Sequence, residues 1–315
     1  MVLSVFPDPQ QVARILPTKQ EAERKLVTMP GVTGIDIGFK QVAGEKTSQL
    51  AIVVFVRKKG QYRPEDEIPK SISGIPTDVV EATFKSLVDP KRYDPAVGGA
   101  CIAPARLATG FGSLGLLVKD QQSQNPLWLS AFHVMCLDRS WQQYDKRILQ
   151  PAPTYGGDPV RDTIGEVVRG IYGQVDIPWG YDLYVDAAVS TVSGRAASPN
   201  IDTVGGVLGA KNASIADLVN KYGAATEYRR GVIESTNTTV LIESQRLGST
   251  WFYYQYSAEP PFMGDPALAE SGDSGSPVRD SDGYLIGLVI AGSDQARRTT
   301  INPIGQIMEA LKISL

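Results

Sequence analysis

The segment Gly272-Asp273-Ser274-Gly275-Ser276-Pro277 places a serine among small residues that allow a tight turn. A serine hydroxyl is a weak nucleophile until a base takes its proton, and acyl transfer also needs donors aimed at the developing oxyanion. The turn predicts an exposed Ser274 hydroxyl, with the backbone N–H groups of Gly272 and Ser274 directed into one oxyanion hole. His133 is the only histidine of the chain and is therefore the candidate base.

Each of these features has a plain structural explanation when taken alone. Glycine, serine and aspartate are common turn residues, and a lone histidine in an apolar run is usually a satisfied core residue. Asp186 adds a third observation, because it lies within the strand-like run 184–190, where a carboxylate is costly unless it has a partner. Asp186 bound to His133, and His133 bound to Ser274, would satisfy all three groups and form a relay for acyl transfer.

The order His133, Asp186, Ser274 along the chain resembles that of the chymotrypsin-like serine peptidases. Leu129-Ser130-Ala131-Phe132-His133 is similar to the family's histidine motif, Asp186-Ala187-Ala188 to its aspartate strand, and residues 272–277 to its nucleophile loop. Residues 287–293 resemble the strand that flanks the substrate in that fold. The resemblance covers about residues 97–315. A narrower resemblance, to bacterial relatives of the plant Narrow Leaf trypsin-like protease, rests on residues 148–151, 156–158, 221–223, 231–233 and 301–304.

The family resemblance implies a role for each of these residues. Ser274 is expected to attack the substrate carbonyl, His133 to shuttle the proton, and Asp186 to hold the imidazole in one tautomer. Asp273 is expected to order the nucleophile loop, by accepting a freed N-terminal amine or by pairing with an internal arginine such as Arg229 or Arg230. The alternative for Asp273 is a turn-forming aspartate that caps its own loop.

A substrate pocket follows from the same resemblance. Counting back six residues from Ser274 places the floor of the primary specificity pocket at Leu268, with Ile290 and Gly292 as its walls. Because no carboxylate stands at the floor position, a preference for lysine or arginine is not expected. The predicted preference is for an apolar or small side chain.

Composition argues against several other classes of function. The net charge of −3 and the scattered basic pairs do not predict nucleic-acid binding. No segment has the length of a membrane span, and residues 1–11 lack the features of a secretory signal. Acyl transfer by a serine, a histidine and an aspartate implies no metal or organic cofactor, and no cysteine–histidine cluster has zinc spacing. The only two cysteines, Cys101 and Cys136, are expected to be free thiols in a cytoplasmic protein.

Residues 1–95 are predicted to form a small α+β N-terminal domain that regulates the protein or binds a partner. Thr18-Lys19-Gln20-Glu21 fits a capping box, which predicts a helix from Thr18 to about Thr28. Strands are expected over residues 31–40, 50–56 and 75–81, with a short helix within residues 64–70.

Residues 96–315 are predicted to form a mainly β domain of two six-stranded antiparallel β-barrels. Many short β-runs broken by glycine and proline favour this architecture. The barrels are expected at about residues 97–192 and 201–302, joined by the polar stretch 193–200. The apolar spacing of Ile304, Ile307, Met308 and Leu311 predicts a C-terminal helix over 303–314, packed on the second barrel.

The leading hypothesis for function is a serine endopeptidase that acts on protein or peptide substrates through an acyl-enzyme. Residues 1–95 would gate the site until a partner binds or the chain is cut near Pro95 or Ala96, or would only dock a partner. A protease-fold scaffold or binding protein with little turnover is the alternative, because a fold does not fix a function. An esterase or acyltransferase using the same site is a third hypothesis.

Overall fold

The computed structural model describes residues 8–42, 45–60, 67–82, 91–178, 182–262, 265–293 and 297–315. The chain forms two compact units, Met1–Ser86 and Leu87–Leu315, each with its own core. Among the described residues, no helix combines the length and the apolar character needed to cross a bilayer.

The first unit begins with helix α1, Pro9–Leu26. The Asp8 side chain caps the helix by accepting the Gln10 N–H at 2.9 Å, and Pro9 stands at the first helical position, where its missing N–H costs nothing. The predicted start at Thr18 is therefore wrong. The helix begins nine residues earlier and continues through Pro17, and the residues of the expected capping box lie inside it.

A four-stranded sheet completes the first unit, with strands β1 Val32–Val42, β2 Glu45–Val56, β3 Ser71–Ile72 and β4 Ile75–Glu81 in the order β1-β2-β4-β3. Strands β2 and β4 are parallel, and the other pairs are antiparallel. The three predicted strands are present. Residues 64–66 of the predicted short helix lie outside the described residues, and residues 67–70 are described but are not helical. The core of this unit contains Leu26 of α1 with Ile52, Val54, Val56 and Ile68.

The first barrel of the second unit has its strands at β6 Cys101–Pro104, β7 Gly112–Ser113, β8 Leu117–Asp120, β9 Pro126–Ser130, β10 Arg147–Leu149, β11 Thr163–Val175 and β12 Leu183–Thr191. These strands follow the order β8-β9-β12-β11-β10-β6-β7, and a short strand formed by Ile313–Ser314 extends the sheet beside β8. Strands β7 and β8 are consecutive parts of one chain segment. The sheet therefore curls back on itself, and six chain segments form the barrel, as predicted. Upstream of it, β5, Ala96–Gly98, pairs in parallel with β13, Ala197–Ile201, within the predicted connection.

The second barrel closes with six strands, β14 Leu218–Gly223, β15 Glu227–Ser244, β16 Gly248–Glu259, β17 Pro277–Asp280, β18 Leu285–Ser293 and β19 Arg298–Pro303. Its core contains Val219, Ile233, Leu268, Val278 and Ile301, among others. The predicted mainly β fold with two barrels, a C-terminal helix and a small α+β unit is thus confirmed.

Helix α3, Ile304–Leu311, connects the second barrel to the first. Its buried side chains Ile304, Ile307 and Leu311 share a core with residues of β9, β12 and β18, so it packs on both barrels rather than on the second alone. After the helix, β20, Ile313–Ser314, pairs antiparallel with β8 of the first barrel.

The hairpin β15–β16 reaches from the second barrel to the first. Phe252 of β16 is fully buried, and its ring packs edge-on against Tyr172 of β11 with 5.3 Å between ring centroids. Tyr172 in turn lies 5.8 Å from the ring of Phe132. This row of aromatic rings joins the hairpin to the chain segment that carries His133.

Candidate active site

His133 lies on a single helical turn, α2, Phe132–Met135, which directly follows strand β9. Its ring Nδ1 is 2.6 Å from Asp186 Oδ2, and its backbone N–H donates to Asp186 Oδ1 at 3.1 Å. Two contacts to one carboxylate fix both the turn and the ring. Burial lowers the pKa of His133, but the charge and the hydrogen bond of Asp186 outweigh it and raise that pKa above its ordinary value.

Asp186 is fully buried on strand β12 and is held from the second barrel as well. Its backbone N–H donates to Asn302 Oδ1 at 3.0 Å. The Asn302 amide donates to Tyr184 O at 2.9 Å and to Gln255 Oε1 at 3.0 Å. Asn302 therefore joins β12 to the second barrel beside the carboxylate. No sequence pattern indicates this role.

The Ser274 loop depends on two glycines with positive φ, 101° at Gly272 and 88° at Gly275. A Cβ at Gly272 would lie 2.3 Å from the Phe111 ring, and one at Gly275 would lie 2.5 Å from Ser113 O, so glycine is required at both. Ser113 of the first barrel holds the loop. Its N–H donates to Ser274 O at 2.8 Å, and its hydroxyl donates to Gly272 O at 2.9 Å.

The predicted oxyanion donors have no other acceptor. Within the described part of the chain, the backbone N–H groups of Gly272 and Ser274 make no hydrogen bond, whereas Gly275 N–H donates to Val289 O at 2.8 Å. No hydrogen bond joins the Ser274 hydroxyl to the His133 ring among the described contacts. Catalytic hydrogen bonds are often long without substrate.

Asp273 pairs with a residue that the sequence analysis missed. Its Oδ2 lies 3.0 Å from Lys221 Nζ, and neither side chain has any exposed surface. The carboxylate also accepts the N–H groups of Ala225 and Thr226, each at 3.1 Å, and that of Glu270 at 2.9 Å. Asp273 is thus saturated with donors.

The two arginines suggested for Asp273 do not meet it. Arg229 pairs instead with Glu270, at 3.7 Å, and no described contact joins Arg230 to Asp273. Lys221 also donates to Glu227 O at 3.1 Å and contacts the Thr226 hydroxyl. Burial lowers the pKa of Lys221 to about 8, although the Asp273 charge opposes that shift.

A cavity of about 690 Å³ contains both His133 and Ser274 in its lining. Ile290 and Gly292, the predicted walls, also line it. Leu268 does not, because its side chain is fully buried in the core of the second barrel. The predicted pocket floor is therefore corrected: the lining in that part of the loop comes from residues 269–271.

The described residues hold no group of three or more histidine, cysteine, aspartate or glutamate side chains that could bind a metal ion. Cys101 and Cys136 are both buried and form no disulfide.

No protein-family model matches the chain, and no curated protein sequence matches it. Solved structures similar in shape include protease A of Thermobifida fusca, at 19% identity and a TM-score of 0.48 over 70% of this chain and 97% of that one. A glutamic acid-specific serine protease matches at 16% identity and a TM-score of 0.49, over 70% and 100% of the two chains. The chymotrypsin of Cellulomonas bogoriensis matches at 18% identity and a TM-score of 0.45, over 71% and 98%. These neighbours are bacterial chymotrypsin-like serine proteases.

Proposed function

We propose that the second unit is a serine endopeptidase with His133, Asp186 and Ser274 as its catalytic triad. The observation that carries this proposal is the contact of 2.6 Å between His133 Nδ1 and the buried Asp186 carboxylate, on a ring that lines the same cavity as Ser274. A buried aspartate bound to Nδ1 leaves Nε2 as the free base of the imidazole. That is the arrangement that activates a serine hydroxyl.

The chemistry follows from these contacts. Ser274 Oγ attacks the peptide carbonyl while His133 Nε2 takes its proton, and the Gly272 and Ser274 N–H groups stabilise the oxyanion. The protonated His133 then gives its proton to the leaving amine, and an acyl-enzyme remains on Ser274. Water attacks this ester with His133 again as base. Asp186 stays ionised throughout and stabilises the imidazolium.

The contact between Lys221 and Asp273 supports the proposal that the Ser274 loop is ordered without proteolytic activation. Its ammonium already neutralises Asp273, so a freed amine from a cut near Pro95 or Ala96 has no vacant carboxylate to occupy. We therefore favour a protein that is competent as synthesised. Within this proposal, residues 1–95 act by docking a protein partner and leave catalysis unchanged.

Labelling by a fluorophosphonate probe tests the proposal. Full-length protein is expected to be labelled at Ser274, and Ser274→Ala is expected to abolish labelling. Ser271→Ala is the matched control, because Ser271 lines the same cavity but should leave labelling intact. Labelling without cleavage of any peptide would favour an esterase, and no labelling at all would favour the scaffold. The affiliation with bacterial relatives of the Narrow Leaf protease stays a prediction.

The role of residues 1–95 needs a separate comparison. The labelling rate of the full chain should be measured against that of a chain that begins at Leu87, the start of the second unit. Equal rates would favour docking over gating, and a faster rate in the shorter chain would favour gating.

A further inference from the structure

Strand β15 has its two partner strands on different parts of its length. Residues 227–232 pair with β14, but from Ser235 to Ser244 the only described partner strand is β16. Every strand edge presents N–H and C=O groups of alternate residues. The outer half of β15 therefore offers a row of such groups to which another extended chain can pair.

This free edge belongs to the cavity that contains Ser274. Residues 238–244 of β15 line that cavity, and the second long stretch of its lining is residues 289–293 of β18. At the usual rise per residue, the lining segment of β15 spans roughly 20 Å, the length of about six residues of extended peptide. A groove bordered by two strands along that length fits an extended chain rather than a compact side group.

The hairpin is held in place by its packing. Phe252 and Leu247 are buried in a core that includes Phe132 and Tyr172 of the first barrel. Val240 and Ile242 pack against the same core, while Thr239, Leu241 and Glu243 are exposed. One side of the strand is thus anchored, so a peptide would meet an edge that is already formed.

The charges of the cavity disfavour an acidic peptide. Glu243 and Glu270 both line it. The single lining guanidinium, Arg298, is engaged by Glu234 at 2.5 Å and by Glu259 at 2.9 Å. Glu270 is paired with Arg229 at 3.7 Å, whereas no described contact gives Glu243 a cation. An acidic side chain on the substrate would therefore meet carboxylates and a cation that is already paired, whereas a basic one would pair with Glu243.

We propose that residues 238–244 of β15 form an extended subsite, in which an unfolded, neutral or basic peptide adds to the free strand edge while its scissile bond lies at Ser274. This proposal rests on the proposed function, because it assigns the substrate of that same site. In strand addition, hydrogen bonds to the peptide backbone would provide the affinity, and the charged side chains that line the cavity would select among the substrate's side chains. The substrate would then be a disordered segment rather than a tight loop.

Cross-linking on the full-length protein tests the subsite. The probe is a decapeptide with a phosphonate that captures Ser274 and a benzoylphenylalanine moved along the peptide. Labelled protein with cross-links to residues 238–244 is the expected result. Capture at Ser274 with cross-links confined to other residues would overturn the subsite and leave the peptidase intact, whereas failure to label Ser274 would overturn both.

Charge reversal provides the second test. Two substrates are compared, a decapeptide that bears lysines and a neutral tripeptide ester. The fall in kcat/KM caused by Glu243→Lys is expected to be at least fivefold larger for the decapeptide than for the ester. Glu166→Lys makes the same charge change on an exposed residue of β11 outside the cavity, and should treat both substrates alike. Equal effects of Glu243→Lys and Glu166→Lys would refute the predicted charge preference.

Discussion

Lys221 Nζ lies 3.0 Å from Asp273 Oδ2, in a place where neither side chain reaches solvent. Asp273 directly precedes the candidate nucleophile, and its own backbone N–H closes a turn on Glu270 O at 3.0 Å. A buried pair of this kind contributes little net stability against an apolar pair, but removing one partner leaves an uncompensated buried charge. The pair therefore couples the shape of the nucleophile loop to the charge on Lys221.

Replacing Lys221 by methionine is expected to lower the free energy of unfolding by about 3–5 kcal/mol, because the Asp273 charge stays buried. Activity should fall with it, since the loop loses its anchor. Lys221→Arg, which keeps the charge, should restore part of both. Urea unfolding and active-site titration measure the two effects.

Lys119→Met, on an exposed residue of β8, controls for loss of a positive charge. Full activity in Lys221→Met would contradict the role given to the pair.

The alkaline side of the pH profile should report on the same lysine. Burial lowers the pKa of Lys221 to about 8 from an ordinary 10.5, so its positive charge is lost as pH rises through about 8. We expect kcat/KM of the wild-type protein to decline above a pH of about 8. In Lys221→Arg, the decline should begin only at a higher pH. A profile that is flat between pH 7 and 10 in the wild-type protein would show that the charge is not required.

The acidic side should report on His133. Its pKa is raised above 6.5, so the protonated, inactive imidazole persists to higher pH than in a free histidine. Activity should therefore rise with pH through a midpoint above 6.5, because in the proposed mechanism only neutral His133 can take the Ser274 proton. Initial rates of peptide cleavage across pH 5–8 measure the midpoint, and a value below 6.5 would argue against the Asp186 contact.

Alanine at Ser274 or at His133 should reduce peptide hydrolysis by about 10⁴-fold or more while the fold is retained. The double variant should be no worse than either single variant, because the two residues act as a unit. Steady-state kinetics on purified proteins, with circular dichroism to verify folding, supply the test. Retained activity in His133→Ala would exclude the triad, since the chain holds no other histidine.

Phe252→Ala should destabilise the second unit by about 3–5 kcal/mol, as expected when a fully buried aromatic ring is removed. Trp251 precedes it on the same strand but is 52% exposed, so Trp251→Ala should cost less than about 1 kcal/mol. Thermal unfolding of the two variants side by side measures the difference. Similar losses would mean that the hairpin is not anchored through Phe252.

The sequence predicted the contact between His133 and Asp186 because a buried charge and a lone imidazole each required a partner. It did not predict Lys221 as the partner of Asp273, although a signal was present. In β14, Lys221 stands two residues after the buried Val219 and therefore shares its face of the strand. A lysine at an inward position of a strand predicts a buried anion, and Asp273 is that anion.

Three other features of the fold and the site could not be predicted from short sequence patterns. The hairpin β15–β16 could not be traced through residues 235–239, because bulges at three places in β15 break the alternation of apolar and polar residues. Leu268 was assigned to a pocket by counting along a loop of assumed length, whereas its side chain completes the barrel core. Asn302 matters only because the two barrels bring β19 beside β12.

Residues of α3 and β20 contact the first barrel, and this sets the order in which the barrels can be completed during synthesis. Ile313 pairs with Asp120, and the Arg169 side chain donates to Leu311 O at 3.2 Å, so the first barrel is completed by residues made after the second. Contacts so distant along the chain form late in folding. A nascent polypeptide would thus carry His133 and Asp186 well before the helix that joins the barrels, and we expect hydrolytic activity to begin only after residues 304–314 have left the ribosome.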